Sequence, residues 1–391
     1  MKKLNIAIIC DPITHEIGGS VVSTIRFAEL LRDKGHNVIL FAAKYPDDKD
    51  KEDFIGFKTY RFFSIGLPYF QKRFRIFYAS ANKLYKLFEK EKIDIVHTIM
   101  LTPSVLFSIK AARKLRLKVI SHPHAQPENL IFNFPKIFQK KNIINFLYRL
   151  MVKISKRADV VIYPSKFAEN EIKKIDPLLN TIIVSNGVNL SKYKKFNPKN
   201  FLVKYSLNKK EKRILCVSRL QPEKSIETLI RSIPKVVKEF KNVHFDIVGL
   251  GLLREPLEKL SKELNIDKKL TFFGRLSEED LLMAYNASDI FVHPSLAELE
   301  GMVVLEAMAC GKPIIIANSA ESASRFFVNN NGFLFEPKNS EDLAKKIIDL
   351  LKDENKRKKM GLESLKLSKK YDINSSVNSL EKIYFSLING K

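Results

Sequence analysis

Residues 290–317 read IFVHPSLAELEGMVVLEAMACGKPIIIA, and this stretch decides the fold. Ile290-Phe291-Val292 is a short apolar run of the kind that forms a buried strand, and Pro294-Ser295 stops it. After Gly301 an apolar run containing Ala and Met reaches Cys310, a composition that favours helix. Gly311 stands where a glycine ends a helix, and Pro313 forbids its continuation. Ile314-Ile315-Ile316 is the next strand. Strand, loop, short helix and strand make one unit of a parallel α/β sheet. Glu298 falls in the loop and Glu306 about one and a half turns into the helix, so both carboxylates can face a crevice at the strand's carboxyl end. Open α/β sheets bind their ligands there. The amides of Gly301, Met302 and Val303 are the free donors of a helix N-terminus and suit a phosphate.

Working outward, 391 residues allow two or three domains. Hydrophobic content of 45% and charge of 28% belong to a soluble globular protein with a full core. Cys10, Cys216 and Cys310 lack paired spacing, which excludes a disulfide framework and points to a reducing compartment. No apolar run is long enough to cross a bilayer, and KKLNIAIIC at the N-terminus reads as a first strand rather than a signal peptide. The net charge of +25 calls for an anionic partner surface, membrane or nucleic acid. No nucleic-acid-binding motif accompanies it, so nucleic acid is not the expected partner.

In the first half, apolar strands at 5–10 and 38–43 flank a helix at 21–34 that Gly35 stops. Gly18-Gly19 in the intervening loop permits either close approach to a ligand or a tight turn. Residues 69–92 carry seven basic against two acidic residues, interleaved with aromatics that include Phe70, Phe77, Tyr78, Tyr85 and Phe88. This segment reads equally as a membrane-interface helix or as an amphipathic helix packing its rings on the sheet. Residues 133–157 hold seven basic residues and no acidic ones, again with Phe138, Phe146 and Tyr148. Between them, the loop SHPHAQPENL after a strand at 119–122 offers His122 and His124 as acid, base or hydrogen-bonding groups, with Glu128 four residues past the second. No metal-ligand spacing is present, and no metal is expected. Residues 185–198, rich in turn formers, mark a linker. In the second half a strand ending at Ser218 is followed by Arg219 and Lys224, a planar fork and a point charge that can clamp a diphosphate. A turn at 249–251 and another at 274–276 follow later strands.

The Pro-Ser-x-x-Glu, the glycine and the Glu-Ala-Met-Ala-x-Gly-x-Pro run resemble, in order and spacing, the signature of retaining glycosyltransferases of family 4. The likeness extends over nearly the whole chain, through Gly18-Gly19, the histidine loop, the linker, Arg219 and Lys224, and Asn331-Gly332-x-Leu334-Phe335, which resembles a turn of the family. It implies the GT-B fold, α/β, with two Rossmann-like doubly wound parallel-sheet domains facing a cleft. Residues 1–187 would bind the acceptor, 188–373 the nucleotide sugar, and 374–391 would form a C-terminal helix crossing back to the first domain. The implied reaction moves a hexosyl group from a UDP- or GDP-linked sugar to an acceptor hydroxyl with retained configuration and no metal or other cofactor. The resemblance assigns Glu298 to the donor sugar and Glu306 to the ribose. Arg219, Lys224 and the amides of Gly301, Met302 and Val303 go to the diphosphate. Gly18 and Gly19 go to phosphate or acceptor, and His124 to the sugar, with His122 as runner-up. Gly249 takes the place of a nucleotide-contact turn, although Leu250 replaces its usual acidic residue, and Arg275-Leu276 takes that of the turn receiving the base. A membrane lipid such as diacylglycerol is the expected acceptor, the enzyme lying peripherally on the cytoplasmic face through 69–92 and 133–157. The alternatives are a soluble or polysaccharide acceptor, as in a glycogen-synthase-like enzyme, a sugar-nucleotide sensor without turnover, and a basic nucleic-acid-binding protein.

Overall fold

Runs such as NIAII, NVILFAA, KRILCV and IIIA leave no polar alternation, so these strands must be covered on both faces, as in parallel sheets between helices. The computed structural model describes residues 2–14, 18–46, 53–66, 74–132, 134 and 140–390. It divides into two units, Met1–Asn186 with Asn374–Lys391, and Gly187–Ile373.

In the first unit the order is β1 Asn5–Ile9, α1 Gly19–Asp33, β2 Asn37–Ala43, β3 Thr59–Phe62, β4 Ser64–Gly66, β5 Arg75–Phe77, α2 Ala81–Lys90, β6 Ile95–Thr98 and α3 Pro103–Lys114. It continues through β7 Lys118–Ser121, α4 Pro127–Ile131, α5 Lys141–Ser155, β8 Val160–Tyr163, α6 Lys166–Lys173 and β9 Thr181–Ile183. Seven strands form one sheet in the order β3-β2-β1-β6-β7-β8-β9, all parallel. Gly35, at φ +90°, ends α1 in a conformation that a Cβ would oppose.

The second unit runs α7 Lys199–Lys204, β10 Lys212–Val217, α8 Ile226–Glu239, β11 Val243–Val248, α9 Arg254–Glu263, β12 Leu270–Gly274, α10 Glu278–Ala287 and β13 Ile290–His293. It then has α11 Met302–Ala309, β14 Ile314–Ala317, β15 Gly332–Phe335, α12 Ser340–Lys352 and α13 Glu354–Ser368. Its six parallel strands lie in the order β12-β11-β10-β13-β14-β15. Both sheets are doubly wound, reversing direction at β1/β6 and at β10/β13. The expected class, α/β with two doubly wound parallel-sheet units, is borne out.

The last helix, α14 Ile373–Ile388, supplies most of the 374–391 segment that groups with the first unit. Val377, Leu380 and Tyr384 are buried, Glu381 pairs with Lys34 (2.8 Å) and His36 (2.9 Å), and Tyr384 meets His97 at 2.7 Å.

Two local expectations need correction. Residues 69–92 are not one helix: Arg75–Phe77 is the second strand of a β4–β5 hairpin, and α2 starts only after Ser80, which caps Lys83 N (3.2 Å). Phe77, Leu84 and Phe88 are buried in the core, so α2 packs its apolar face inward. Tyr69, Phe70, Lys72 and Arg73 lie outside the described residues. The turn expected at Gly332 is instead β15, an edge strand. A Cβ on Gly332 would stand 1.8 Å from Ile314 O, so only glycine lets β15 lie against β14. In the second basic segment Asn133 and Phe138 lie outside the described residues. Helix α5 within it buries Tyr148 and Val152 but leaves Phe146 63% and Leu150 42% exposed beside exposed Arg149 and Lys153. Among the described residues no helix is long and apolar enough to cross a membrane.

Leu380 is fully buried. Leu380→Ala should therefore remove about 2–5 kcal/mol from the first unit, seen as a lower denaturant midpoint at unchanged slope. An unshifted midpoint would mean that α14 contributes nothing to this core.

Candidate functional site

In the second unit β10 and β13 are neighbours, with Ile214 opposite Ile290 and Leu215 opposite Phe291. The loops leaving their carboxyl ends therefore start side by side. Several bonds tie them together. Leu296 N donates to Glu223 O (2.8 Å), Ser319 Oγ to Leu296 O (2.5 Å) and Ala323 N to Glu298 O (2.8 Å). Residues Pro222–Lys224 form a single 3-10 turn, and Ser225 takes a left-handed φ of 49° before α8 begins. That turn points Lys224 inward, its side chain 7% exposed, and Nζ donates to Glu298 Oε1 at 2.6 Å. His293, at the end of β13, reaches the same oxygen with Nε2 at 3.1 Å. Burial pushes the Glu298 carboxyl up, but the Lys224 charge and the His293 hydrogen bond overcome it and hold the group well below the usual carboxylate range. Arg219 stays half exposed and donates to Glu223 Oε1 at 3.1 Å, while the Glu223 side chain is fully buried.

Glu306 has different company. It lies on the buried side of α11 and accepts from Tyr285 Oη of α10 at 2.9 Å. Gly301 precedes α11 at φ +101°, and a Cβ there would meet Ser324 Oγ at 2.4 Å, so conformation and space both demand glycine. Helix geometry leaves the first amides of α11 without intrahelical acceptors. The glycines at 249 and 251 have a packing reason. A Cβ would lie 1.8 Å from Ser218 O in the first case and 2.2 Å from Leu220 O in the second. Gly249 N donates to Gly274 O at 2.7 Å, which sets the two turns side by side. Arg275 is exposed on the second turn, and Leu276 packs partly into the core.

The first unit holds the other candidates. Gly18 caps α1 with its carbonyl, which accepts from Val21 N and Val22 N. Neither Gly18 nor Gly19 has a positive φ, and a Cβ on either would meet open space. Here neither packing nor backbone conformation requires glycine. Of the two loop histidines, His122 is fully buried, whereas His124 is partly exposed. Tyr384 Oη meets His97 Nδ1 at 2.7 Å, His97 Nε2 meets His122 Nδ1 at 3.3 Å, and the His122 and His124 rings lie 4.3 Å apart. Ser23 Oγ of α1 lies 2.9 Å from His124 Nδ1. Burial, aided by the neighbouring rings, lowers His97 to about 3 and His122 well below its ordinary value, and burial lowers His124 to about 4. Glu128 accepts from Tyr148 Oη at 2.9 Å.

The sheet order thus brings Lys224 to Glu298, with Arg219 held in the same loop, and gives Glu306 a separate partner. His293, Glu223 and Tyr285 were not singled out as site residues from the sequence. His293 had one local signal, its position directly before Pro294-Ser295. Glu223 and Tyr285 had none.

A family model described as Glycosyltransferase Family 4 matches residues 17–192, and one described as Glycosyl transferases group 1 matches residues 199–366. An alpha-monoglucosyldiacylglycerol synthase of Streptococcus pneumoniae is 25% identical over 318 residues, covering 80% of this chain and 70% of that protein. A sucrose-phosphate synthase of Thermosynechococcus elongatus superposes with a TM-score of 0.81 at 22% identity, over all of both chains. The Anabaena protein HepE, solved with UDP and glucose, gives 0.76 at 20% identity over 98% of this chain and all of that one.

The neutral histidines carry a pH signature. An unfolded histidine titrates near 6.5, well above the folded values of about 3 for His97 and about 4 for His124. Between those limits the unfolded chain binds more protons. Stability of the first unit should fall as pH drops from about 7 to about 4, by up to about 1.4 kcal/mol per pH unit for each such histidine. His97→Gln should flatten the slope by about one proton. An unaltered slope would place the pH response elsewhere.

Proposed function

Since the chain belongs to the family-4 glycosyltransferases, we propose that it transfers a hexosyl group from a UDP- or GDP-linked sugar to an acceptor hydroxyl with retained configuration. The observation that carries this reading is the Glu298 carboxylate, kept ionised by Lys224 and His293 where β10 and β13 end. A nucleoside diphosphate is already a good leaving group, so the protein's work is to stabilise its growing charge and hold the reactants in line. Lys224 has three N–H donors, one engaged by Glu298 at 2.6 Å and one more loosely by Ala297 O at 3.4 Å, and Arg219 is half exposed. Both can turn to the diphosphate beside the α11 amides of Met302 and Val303. Glu306 accepts from the ribose hydroxyls, Glu298 from the sugar. With these cations in place the proposal needs no metal. His124 enters as a neutral hydrogen-bonding group, because a ring titrating at about 4 carries no charge at neutral pH.

For the acceptor we favour a membrane lipid such as diacylglycerol, with the enzyme held peripherally on the cytoplasmic face. The supporting feature is α5, where exposed Phe146 and Leu150 adjoin Arg149 and Lys153 in a chain of net charge +25. Each basic side chain near an anionic leaflet contributes on the order of 1 kcal/mol, and interfacial aromatics add to it.

A screen of nucleotide sugars scored by release of the nucleoside diphosphate tests the activity. The two glutamates should separate. Glu306→Gln should weaken binding of free nucleoside diphosphate, whereas Glu298→Gln should lower turnover and leave that binding nearly intact. Equal loss in both by calorimetry would reject the division. The protein should also sediment with vesicles containing anionic lipid and release at high salt, and Phe146→Ser with Lys153→Glu should weaken this while sparing donor hydrolysis. A parent that ignores such vesicles would shift the acceptor to a soluble saccharide.

A further inference from the structure

His293 is an expensive residue for its place. It is 1% exposed, and its ring lies nearly parallel to Phe291 at 6.3 Å, a setting that an apolar side chain would fill without desolvating an imidazole. Among the described residues its side chain makes one hydrogen bond, Nε2 to Glu298 Oε1 at 3.1 Å. Glu298 is ionised, and an ionised carboxylate can only accept. Nε2 therefore carries a proton toward Glu298. Nδ1 is buried without a hydrogen-bond partner among the described residues. A second feature is the convergence on one atom: Lys224 Nζ also donates to Oε1, at 2.6 Å. Both donors fall on the same oxygen, which leaves Oε2 for a ligand hydroxyl.

We propose that His293 is a positioning residue for the glycosyl donor, its Nε2–H and Lys224 Nζ together pinning Glu298 by Oε1 so that Oε2 is presented to the sugar. The proposal rests on the donor-site reading above. Lys224 alone cannot do this work, because an ammonium on a flexible four-carbon stem is drawn to an arriving diphosphate. When Lys224 turns, His293, at the end of a buried strand, still fixes the carboxylate rotamer. A misplacement of about 1 Å at such a group costs up to about 100-fold in rate.

The test compares His293→Leu with His293→Gln, whose amide N–H lies at about the reach of Nε2. Turnover is read by release of nucleoside diphosphate, affinity by calorimetry with free nucleoside diphosphate and with the nucleotide sugar, and folding by thermal melting. His293→Leu should lower kcat by about 10- to 100-fold. Binding of free nucleoside diphosphate should stay unchanged, and the extra affinity due to the sugar should disappear. His293→Gln should recover a large part of both. Parental turnover in His293→Leu overturns the proposal. So does an equal loss in both variants with lowered melting temperatures, which would make His293 a packing residue. A folded parent that binds no nucleotide sugar removes the donor-site reading and the positioning role with it. A parent that binds and turns over its donor, with His293→Leu its equal, removes the positioning role alone.

Discussion

A single carboxylate oxygen, Glu298 Oε1, receives hydrogen bonds from side chains that follow or end two neighbouring strands, and the second unit's candidate site is built around it. Lys224 arrives from the loop after β10 and His293 from the end of β13. Glu298 itself sits in a loop whose backbone is held by Ala323 N and Glu321 O. Taking both charges out of water is costly, and their attraction offsets this only where the geometry is close and a further hydrogen bond, here from His293, supports it. Removing one partner of such a pair typically costs about 3–5 kcal/mol, whereas replacing both with apolar groups can be neutral. Stability is thus a poor reason to keep this pair. Holding a charged acceptor ready at the proposed donor site is a better one.

The first unit solves a similar problem without charge. His97 in β6 and His122 after β7 stack, His124 lies tilted against His122, and hydrogen bonds link the group to Tyr384 of α14 and Ser23 of α1. Since burial keeps the rings neutral, each presents one donor and one acceptor nitrogen, and the sense of each follows from its partner. Ser23 Oγ is also in reach of the Gly19 and Ser20 carbonyls, which its hydroxyl can serve. When it does so, His124 Nδ1 donates to Ser23 and Nε2 is left as the acceptor. Two electrostatic designs coexist in one chain, an ion pair where a charged ligand is proposed and a cluster of neutral rings in the other unit.

Much of the fold was legible in the chain because local preferences agree with one another. Uninterrupted apolar runs, helices stopped at Gly35 and Gly311, and proline after the stop each point to a doubly wound parallel sheet. Reading failed where local patterns were ambiguous. Arg75–Phe77 shares its aromatic and basic composition with the helix that follows, and pairing with Ser64–Gly66 decided for strand. Gly332 carries a turn former's identity, but a neighbouring strand's carbonyl leaves no room for anything larger.

For the candidate site, sequence spacing determined which residue types stand at strand ends: a guanidinium and an ammonium after one strand, two carboxylates after another. Which of them meet was decided only by the tertiary structure. Lys224 and Glu298 are 74 residues apart, and no periodicity relates them. They touch because the sheet order places β13, rather than β12, beside β10. The same placement turns His293 toward Glu298, and Tyr285, 21 residues away in sequence, reaches Glu306 from α10. Local sequence sets the conformation of each segment through short-range sterics and burial preference, whereas the pairing of charges is a property of distances that exist only once the strands have taken their order.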